Sequence, residues 1–241
     1  MRKPLCHVIW LGRRDYREVW ELQKELAIQR LAGEIPDTLL LLEHPPTVTL
    51  GRGAEASNIV ASAEWLKQMG FDVVETDRGG DVTYHGPGQL VGYPILNLQS
   101  PPHHPDLHLY LRNLEETLIR SLAYYEIEGG RFPGYTGAWV GMGTLRPEKV
   151  AAIGIKTGRW ITQHGFAFNI CPDLSHFDVI VPCGIRDYGV TSLSRLLDRP
   201  VTVAEVLPIV RNAFAEVFGL ECVDTNPEPP SEGANAVLST V

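Results

Sequence analysis

Residues 149–169, KVAAIGIKTGRWITQHGFAFN, decide the fold class. Lys149–Ile155 and Trp160–Asn169 are short runs rich in β-branched and aromatic residues, separated by Thr157-Gly158. They read as two strands of a hairpin, and with Gly137–Val140 upstream they make an antiparallel meander. Working outward, Leu5–Leu11, Thr38–Glu43, Thr47–Leu50, Asp72–Thr76 and Gln89–Leu96 also read as strands. Pro94 lacks an N–H for a ladder, so it implies an edge strand or a bulge. Between these runs the period changes. Tyr16–Ala32 places Val19, Trp20, Leu22, Leu26, Ala27 and Leu31 at helical spacing, with Asp15 as N-cap. Glu64–Met69, Leu109–Tyr125 and Val203–Phe218 are the other helices, and Ser100–His108 reads as loop. Helices interspersed irregularly among strands predict an α/β (α+β) protein of mixed, largely antiparallel sheets with flanking helices, rather than regular βαβ winding. Residues 1–225 read as a single domain. The tail from Asn226 carries three prolines by Pro230 and no periodicity, and 226–241 is expected to be disordered.

A chain of 241 residues with 44% hydrophobic content can bury a full core. No apolar stretch approaches the length of a membrane span. The apolar run after Met1 is broken by His7 and lacks a small-residue cleavage site, so a cytoplasmic location is expected. The net charge of −8 argues against a nucleic-acid partner. Arg2, Lys3, Arg13, Arg14 and Arg17 are the one dense basic group near a terminus, read either as a docking patch for an acidic protein or as a solvated helix start. Cys6, Cys171, Cys183 and Cys222 are far apart with no C-x-x-C, which fits reduced thiols better than disulfides or zinc. Most such thiols are small buried apolar residues. Cys183 differs, because Pro182 and Gly184 flank it and mark a tight turn that can present a side chain outward.

The run Arg78-Gly79-Gly80-Asp81-Val82-Thr83-Tyr84-His85-Gly86-Pro87-Gly88-Gln89 concentrates five glycines or prolines with an Arg, a His and a Gln. Glycine suits places where backbone approaches a ligand or takes positive φ. The run reads as the floor of a binding site, against the plainer alternative of a Gly/Pro-rich turn. His103, His104 and His108 cluster without paired acids, a weak basis for a metal site, and no metal is expected. His44 and His176 read as loop residues. No P-loop or G-x-G-x-x-G is present, so nucleotide binding has no positive support.

The Arg78–Gln89 run resembles the signature of the lipoyl(octanoyl) transferases. Two further blocks resemble that family in the same order: Lys149-Val150-Ala151-Ala152-Ile153-Gly154-Ile155-Lys156 followed by His164-Gly165-Phe166-Ala167-Phe168-Asn169, and then Val181-Pro182-Cys183-Gly184-Ile185. The resemblance implies the biotin/lipoate protein ligase-like fold, transfer of an octanoyl group, and no cofactor. It implies octanoyl-acyl carrier protein as donor. The implied acceptors are the lipoyl domains of 2-oxoacid dehydrogenases and the glycine cleavage H protein. Carried over residue by residue, the substrate-binding positions are Arg78, Gly79, Gly80, Asp81, Val82, Thr83, Tyr84 and His85, then Ala152, Ile153, Gly154, Gly165, Phe166 and Ala167. Phe166 would flank the acyl chain, with ordinary core packing as its alternative.

The thiolate of a cysteine is its nucleophilic form, and a nearby cation favours it. Lys149, Lys156, Arg78 and His85 are the candidates for that cation. On strand parity Lys149 and Lys156 are opposed, so only one faces the site unless a bulge intervenes. The resemblance selects Lys149, with Cys183 as acyl-carrying nucleophile. An ATP-dependent lipoate or biotin protein ligase, an amidotransferase between lipoyl domains and a non-catalytic acyl-carrier or lipoyl-domain binding protein are the competing readings. The first needs no nucleophilic cysteine, the second fits the His-Gly-Pro-Gly-Gln block poorly, and in the third Cys183→Ala would leave binding intact, with no turnover to lose.

Overall fold

The computed structural model describes residues 2–180 and 188–225. Strand β1 (Leu5–Arg13) is followed by helix α1 (Tyr16–Ala32), whose first N–H groups are capped by the Asp15 carboxylate at 2.8 Å from Arg17 N. β2 (Asp37–Glu43) and β3 (Thr47–Leu50) flank the His44-Pro45-Pro46 break. The short helix α2 (Ala63–Gln68), β4 (Asp72–Glu75), β5 (Val82–His85) and β6 (Gln89–Ile95) follow. Helix α3 (Leu107–Ala123) starts two residues earlier than its period predicts, because Asp106 caps it. Then come β7 (Gly129–Phe132), β8 (Tyr135–Val140), β9 (Glu148–Gly158) and β10 (Ile161–Asn169). The chain closes with β11 (Gly189–Val190), α4 (Leu193–Leu197), α5 (Val203–Phe218) and β12 (Glu221–Asp224).

The strands form a long sheet ordered β12-β1-β2-β6-β10-β9-β8-β7, with β11 beside β9, and a small sheet ordered β4-β3-β5. β1 is parallel to both neighbours, and the run from β2 to β7 is antiparallel. This is the mixed, largely antiparallel α/β architecture expected. One face of the long sheet carries α3 and α5 over an apolar core that includes Leu114, Leu118, Val210 and Phe214. The other face carries α1, where Val19 meets Leu40, Leu42, Val91 and Ala167. The small sheet has its own core of Val48, Leu66, Phe71, Val82, Tyr84 and Phe177.

Three local expectations change. The β9–β10 turn lies at Arg159-Trp160, both at positive φ (50° and 65°), rather than at Thr157-Gly158, which extends β9. Two left-handed residues match the twist of a tight hairpin, and here the register selects them over the glycine. β6 is central, not an edge. Its ladder to β10 runs only to Gly92, and opposite Pro94 the Thr162 hydroxyl donates to Pro94 O (2.7 Å) and accepts from Leu96 N (2.9 Å). The left-handed His164 (φ 56°) interrupts β10 at that point, so the missing proline N–H falls where no ladder bond is made. Finally, three of the basic residues near the N-terminus lie against acids, Arg2 with Glu221, Arg13 with Glu43 and Arg17 with Asp72, which tempers the reading of a purely basic patch.

Candidate active site

A cavity of about 510 Å³ opens between the α1 face of the long sheet and the small sheet, within the size range of small-molecule sites. Its floor is made of small residues. Ala152 and Gly154 on β9 lie beside Ala167 and Gly165 on β10, in register. The segment between β4 and β5 supplies one wall, with Arg78, Gly79, Gly80, Asp81, Val82, Thr83 and His85 all bounding the space.

Arg78 is held by Thr49, donating to its hydroxyl (2.9 Å) and its carbonyl (2.8 Å), while Gly79 N donates to Ile155 O (2.8 Å). These bonds tie the glycine-rich segment to both sheets. Asp81 accepts from Asn58 Nδ2 (2.6 Å) and from its neighbour Val82 N (2.7 Å), so its carboxylate braces the loop.

Two carried-over positions behave differently from the expectation. Tyr84 does not bound the cavity: strand alternation turns it into the core of the small sheet, where its ring packs at a tilt against Phe71 and edge-on to Phe177 and its hydroxyl lies 2.8 Å from His176 Nδ1. Phe166 bounds the cavity, but it belongs to the apolar core of the opposite face, with its ring against Gly92. Core packing, the plainer alternative, describes its side chain.

Lys149 bounds the same cavity, and a bulge puts it there. Ala138 pairs with Ala151 and Trp139 with Lys149, which leaves Val150 as an extra residue on β9. Val150 and Ala151 both enter the apolar core, so Lys149 joins Ala152 and Gly154 on the cavity side. Without the bulge, parity would turn Lys149 into the core. Lys149 and Lys156 therefore share a face, which overturns the simple parity argument. Lys156 lies at the far end, paired with Asp77. Gly137, at φ 137°, makes room for this arrangement: a Cβ there would sit 2.4 Å from Ala151 O and 3.5 Å from Lys149 Cε. Lys149 Nζ stands 4.9 Å from the Trp139 ring centre.

Cys183 and its neighbours Val181, Pro182, Gly184 and Ile185 lie outside the described residues. The chain resumes beside Lys149. Tyr188 packs on Trp139 (5.8 Å between ring centres), Val190 pairs with Lys149, and Thr191 N donates to Lys149 O at 3.0 Å.

The inner end of the cavity holds polar residues, of which the sequence marked only His164, at the head of the His164–Asn169 block. Tyr16, Tyr93 and His164 line it, and His44 packs behind them. His44 Nδ1 donates to Arg14 O (2.7 Å), so its Nε2 accepts from the Tyr93 hydroxyl (2.9 Å). His164 Nε2 donates to Asp77 Oδ1 (2.8 Å). Burial drives the pKa of both His44 and His164 down to about 4. Burial raises Asp77, but hydrogen bonds from Lys156 and His164 outweigh it and hold the carboxyl below its ordinary range. His85 donates through Nδ1 to Gln89 Oε1 (2.9 Å), and Gln89 Nε2 donates to Asn169 Oδ1 (2.9 Å) and Tyr84 O. Burial, with His44 and Arg78 nearby, pushes His85 well below its ordinary pKa. A neutral imidazole is not the cation a thiolate needs, so His85 leaves that set of candidates. The signal for Tyr16 and His44 was present in sequence, a polar side chain at a helix start and another before a Pro-Pro break, but nothing there marks their burial.

Among the described residues no group of three or more His, Cys, Asp or Glu side chains is placed to hold a metal ion, and no helix is long and apolar enough to cross a membrane. His103, from the histidine cluster, instead lies 2.7 Å from the buried Asp37.

Residues 15–215 match the model of the lipoyl protein ligase A/B catalytic domain. The chain is 54% identical over 210 residues to an octanoyltransferase from Rubrobacter xylanophilus, covering 86% of this chain and 91% of the relative. It is 51% identical over 225 residues to an octanoyltransferase from a Nostoc species, covering 91% and 95%. Among solved structures it is similar to the bi-partite lipoate protein ligase from Thermoplasma acidophilum, with TM-score 0.71, 16% identity, and coverage of 91% of this chain and 86% of that one. It is also similar to a lipoate-protein ligase A bound with ATP, with TM-score 0.69, 17% identity, and coverage of 91% and 88%. At these identities the structures establish the fold alone: it is that of the lipoate protein ligases.

Proposed function

The chain belongs to the octanoyltransferases, acyltransferases of the lipoyl protein ligase A/B catalytic family, and from that premise we propose that it moves octanoyl from a carrier-protein thioester to a lipoyl-domain lysine through Cys183. The observation that carries this reading is Lys149, turned by a bulge into a cavity floored by Ala152, Gly154, Gly165 and Ala167, at the place where Tyr188–Val190 run alongside it. The small floor suits an unbranched acyl chain, each buried methylene of which contributes about 0.8 kcal/mol.

In the first half-reaction the Cys183 thiolate attacks the donor thioester carbonyl. The carbon–sulfur bond to the carrier's phosphopantetheine breaks, and its thiol leaves. In the second, the acceptor lysine amine attacks the Cys183 thioester, forming an amide and regenerating the thiolate. Lys149 stabilises that thiolate and takes part in moving the proton that the incoming ammonium must lose. Thioester to thioester is nearly level and thioester to amide is downhill, so the cycle needs no nucleotide. The donor is octanoyl-acyl carrier protein, and the acceptors are lipoyl domains of 2-oxoacid dehydrogenases and the glycine cleavage H protein. The catalytic unit is the one domain 1–225, a reading supported by the pairing of β12 with β1. The cytoplasm, where these partners reside, is its place of work.

The test is turnover without ATP. Octanoyl-acyl carrier protein and an unmodified lipoyl domain, mixed with the protein alone, should give octanoylated lipoyl domain by mass spectrometry. Product that appears only with ATP and free octanoate would identify a ligase instead.

A further inference from the structure

Two thiols outside the candidate site face each other across the far edge of the long sheet. β1 and β12 are parallel, and their register sets Cys6 directly opposite Cys222. Neighbouring strands stand about 4.8 Å apart, inside the roughly 4.4–6.8 Å between Cα atoms that a disulfide bridges. Register partners project to the same face, and here both side chains meet the same apolar cluster. Both cysteines are free, Cys6 buried and Cys222 partly exposed.

We propose that Cys6 and Cys222 are a redox modification site that closes into a reversible cross-strand disulfide, with a hydroperoxide as the oxidant. The proximity of the two thiols separates their roles: together with burial it pushes Cys6 far up, so Cys6, whose Sγ donates to His7 O at 3.6 Å, keeps its proton. Cys222 is held below its ordinary value, first by the neighbouring Cys6 thiol and, against its own desolvation, by the charge of Arg211. Cys222 is thus the more exposed and the more acidic of the pair, the attributes of an attacking thiol.

The Cys222 thiolate attacks one peroxide oxygen, and the O–O bond breaks. The other oxygen leaves and takes up a proton, as water or an alcohol. Cys222 is then a sulfenic acid. The Cys6 sulfur attacks Cys222 Sγ, the S–O bond breaks, and the oxygen leaves as water with the Cys6 proton. Two thiols lose two electrons in all, and one hydroperoxide is reduced. A dithiol reverses the change by exchange.

The consequence follows from where the bond falls. β12 is the outermost strand of the sheet and Thr225, just beyond it, is the last residue before the undescribed tail. The bond would enclose almost the whole described chain in one loop, and cross-links that close long loops constrain the unfolded chain most. β2, β6 and β10 separate the pair from β9 and Lys149, so the staple acts on stability and leaves transfer unchanged.

The test treats the full chain with hydrogen peroxide, blocks remaining thiols in denaturant and maps peptides without reduction. The expected result is a linked peptide pair carrying Cys6 and Cys222, lost on adding dithiothreitol, and a melting temperature raised by roughly 5 °C or more. The rise should be absent in Cys222→Ser. Finding both thiols still alkylated after treatment, or Cys222 over-oxidised with Cys6 free, would overturn the proposal. So would an equal rise in Cys222→Ser. The map of the unaltered chain decides the matter even if that variant folds poorly.

Discussion

On the α3–α5 face of the long sheet, Leu114, Leu118, Leu122, Val206, Val210 and Phe214 fill the interior with carbon. On the α1 face the same strands bury Tyr16, His44, His85, Gln89, Tyr93, His164 and Asn169, joined by hydrogen bonds. One sheet therefore carries two interiors. The first gains free energy from area removed from water and tolerates little change of shape. The second gains little from burial, because every polar group must find a partner, yet it fixes donors and acceptors around a cavity. β9 belongs to both, and its bulge at Val150 decides which side chain goes where.

The sharpest way to break this comparison is Lys149→Met, which keeps length and removes charge. Octanoyl transfer should fall by about a thousandfold in kcat/KM, in the range that acid–base groups contribute, with the melting temperature nearly unchanged. Equal losses of activity and stability would mean that Lys149 belongs to the structural interior after all.

Phe214→Ala is the mirror experiment. It should cost about 3–4 kcal/mol in unfolding free energy by leaving a cavity, while kcat/KM per folded molecule stays at the parent value. A large activity loss in folded protein would deny that the two faces are separable.

The histidines give a pH signature to the polar face alone. His44 and His164 titrate near 4 when folded, against about 6.5 in an unfolded chain. Between those values the unfolded state binds more protons. Their stabilisation is therefore complete above about pH 6.5 and is lost as pH falls toward 4, by about 1.4 kcal/mol per histidine per pH unit. Urea unfolding from pH 7 to 4.5 measures it, and a flat profile would contradict burial of these rings as neutral species.

The smallest effect concerns the floor. Ala152→Leu should reduce kcat/KM for octanoyl donors by roughly tenfold or more while sparing a butanoyl donor, since the lost contacts amount to a few methylenes. Equal loss for both donors would place the acyl chain elsewhere.

How much of this was legible in sequence depends on whether a feature is local. Asp15 capping α1, the bounds of Val203–Phe218 and the meander of β8, β9 and β10 follow from caps and periods. The glycine-rich wall from Arg78 to His85 was also visible, because glycine and arginine at that density have few structural uses. What was not legible depends on contacts between distant segments. Tyr84 leaves the cavity through alternation in a strand that the motif disguised. Pro94 sits in a central strand because His164 interrupts the neighbouring one. Lys149 points inward only through a bulge that no spacing reveals. The pairing of His164 with Asp77 joins residues far apart in sequence.

The most direct test of the central claim is to trap the intermediate. Protein mixed with octanoyl-acyl carrier protein and no acceptor, then digested and weighed, should carry one octanoyl group on the peptide containing Cys183, at a yield near one per chain, and Lys149→Met should load far more slowly. Full-speed transfer by Cys183→Ala, or an octanoyl group found elsewhere, would contradict it.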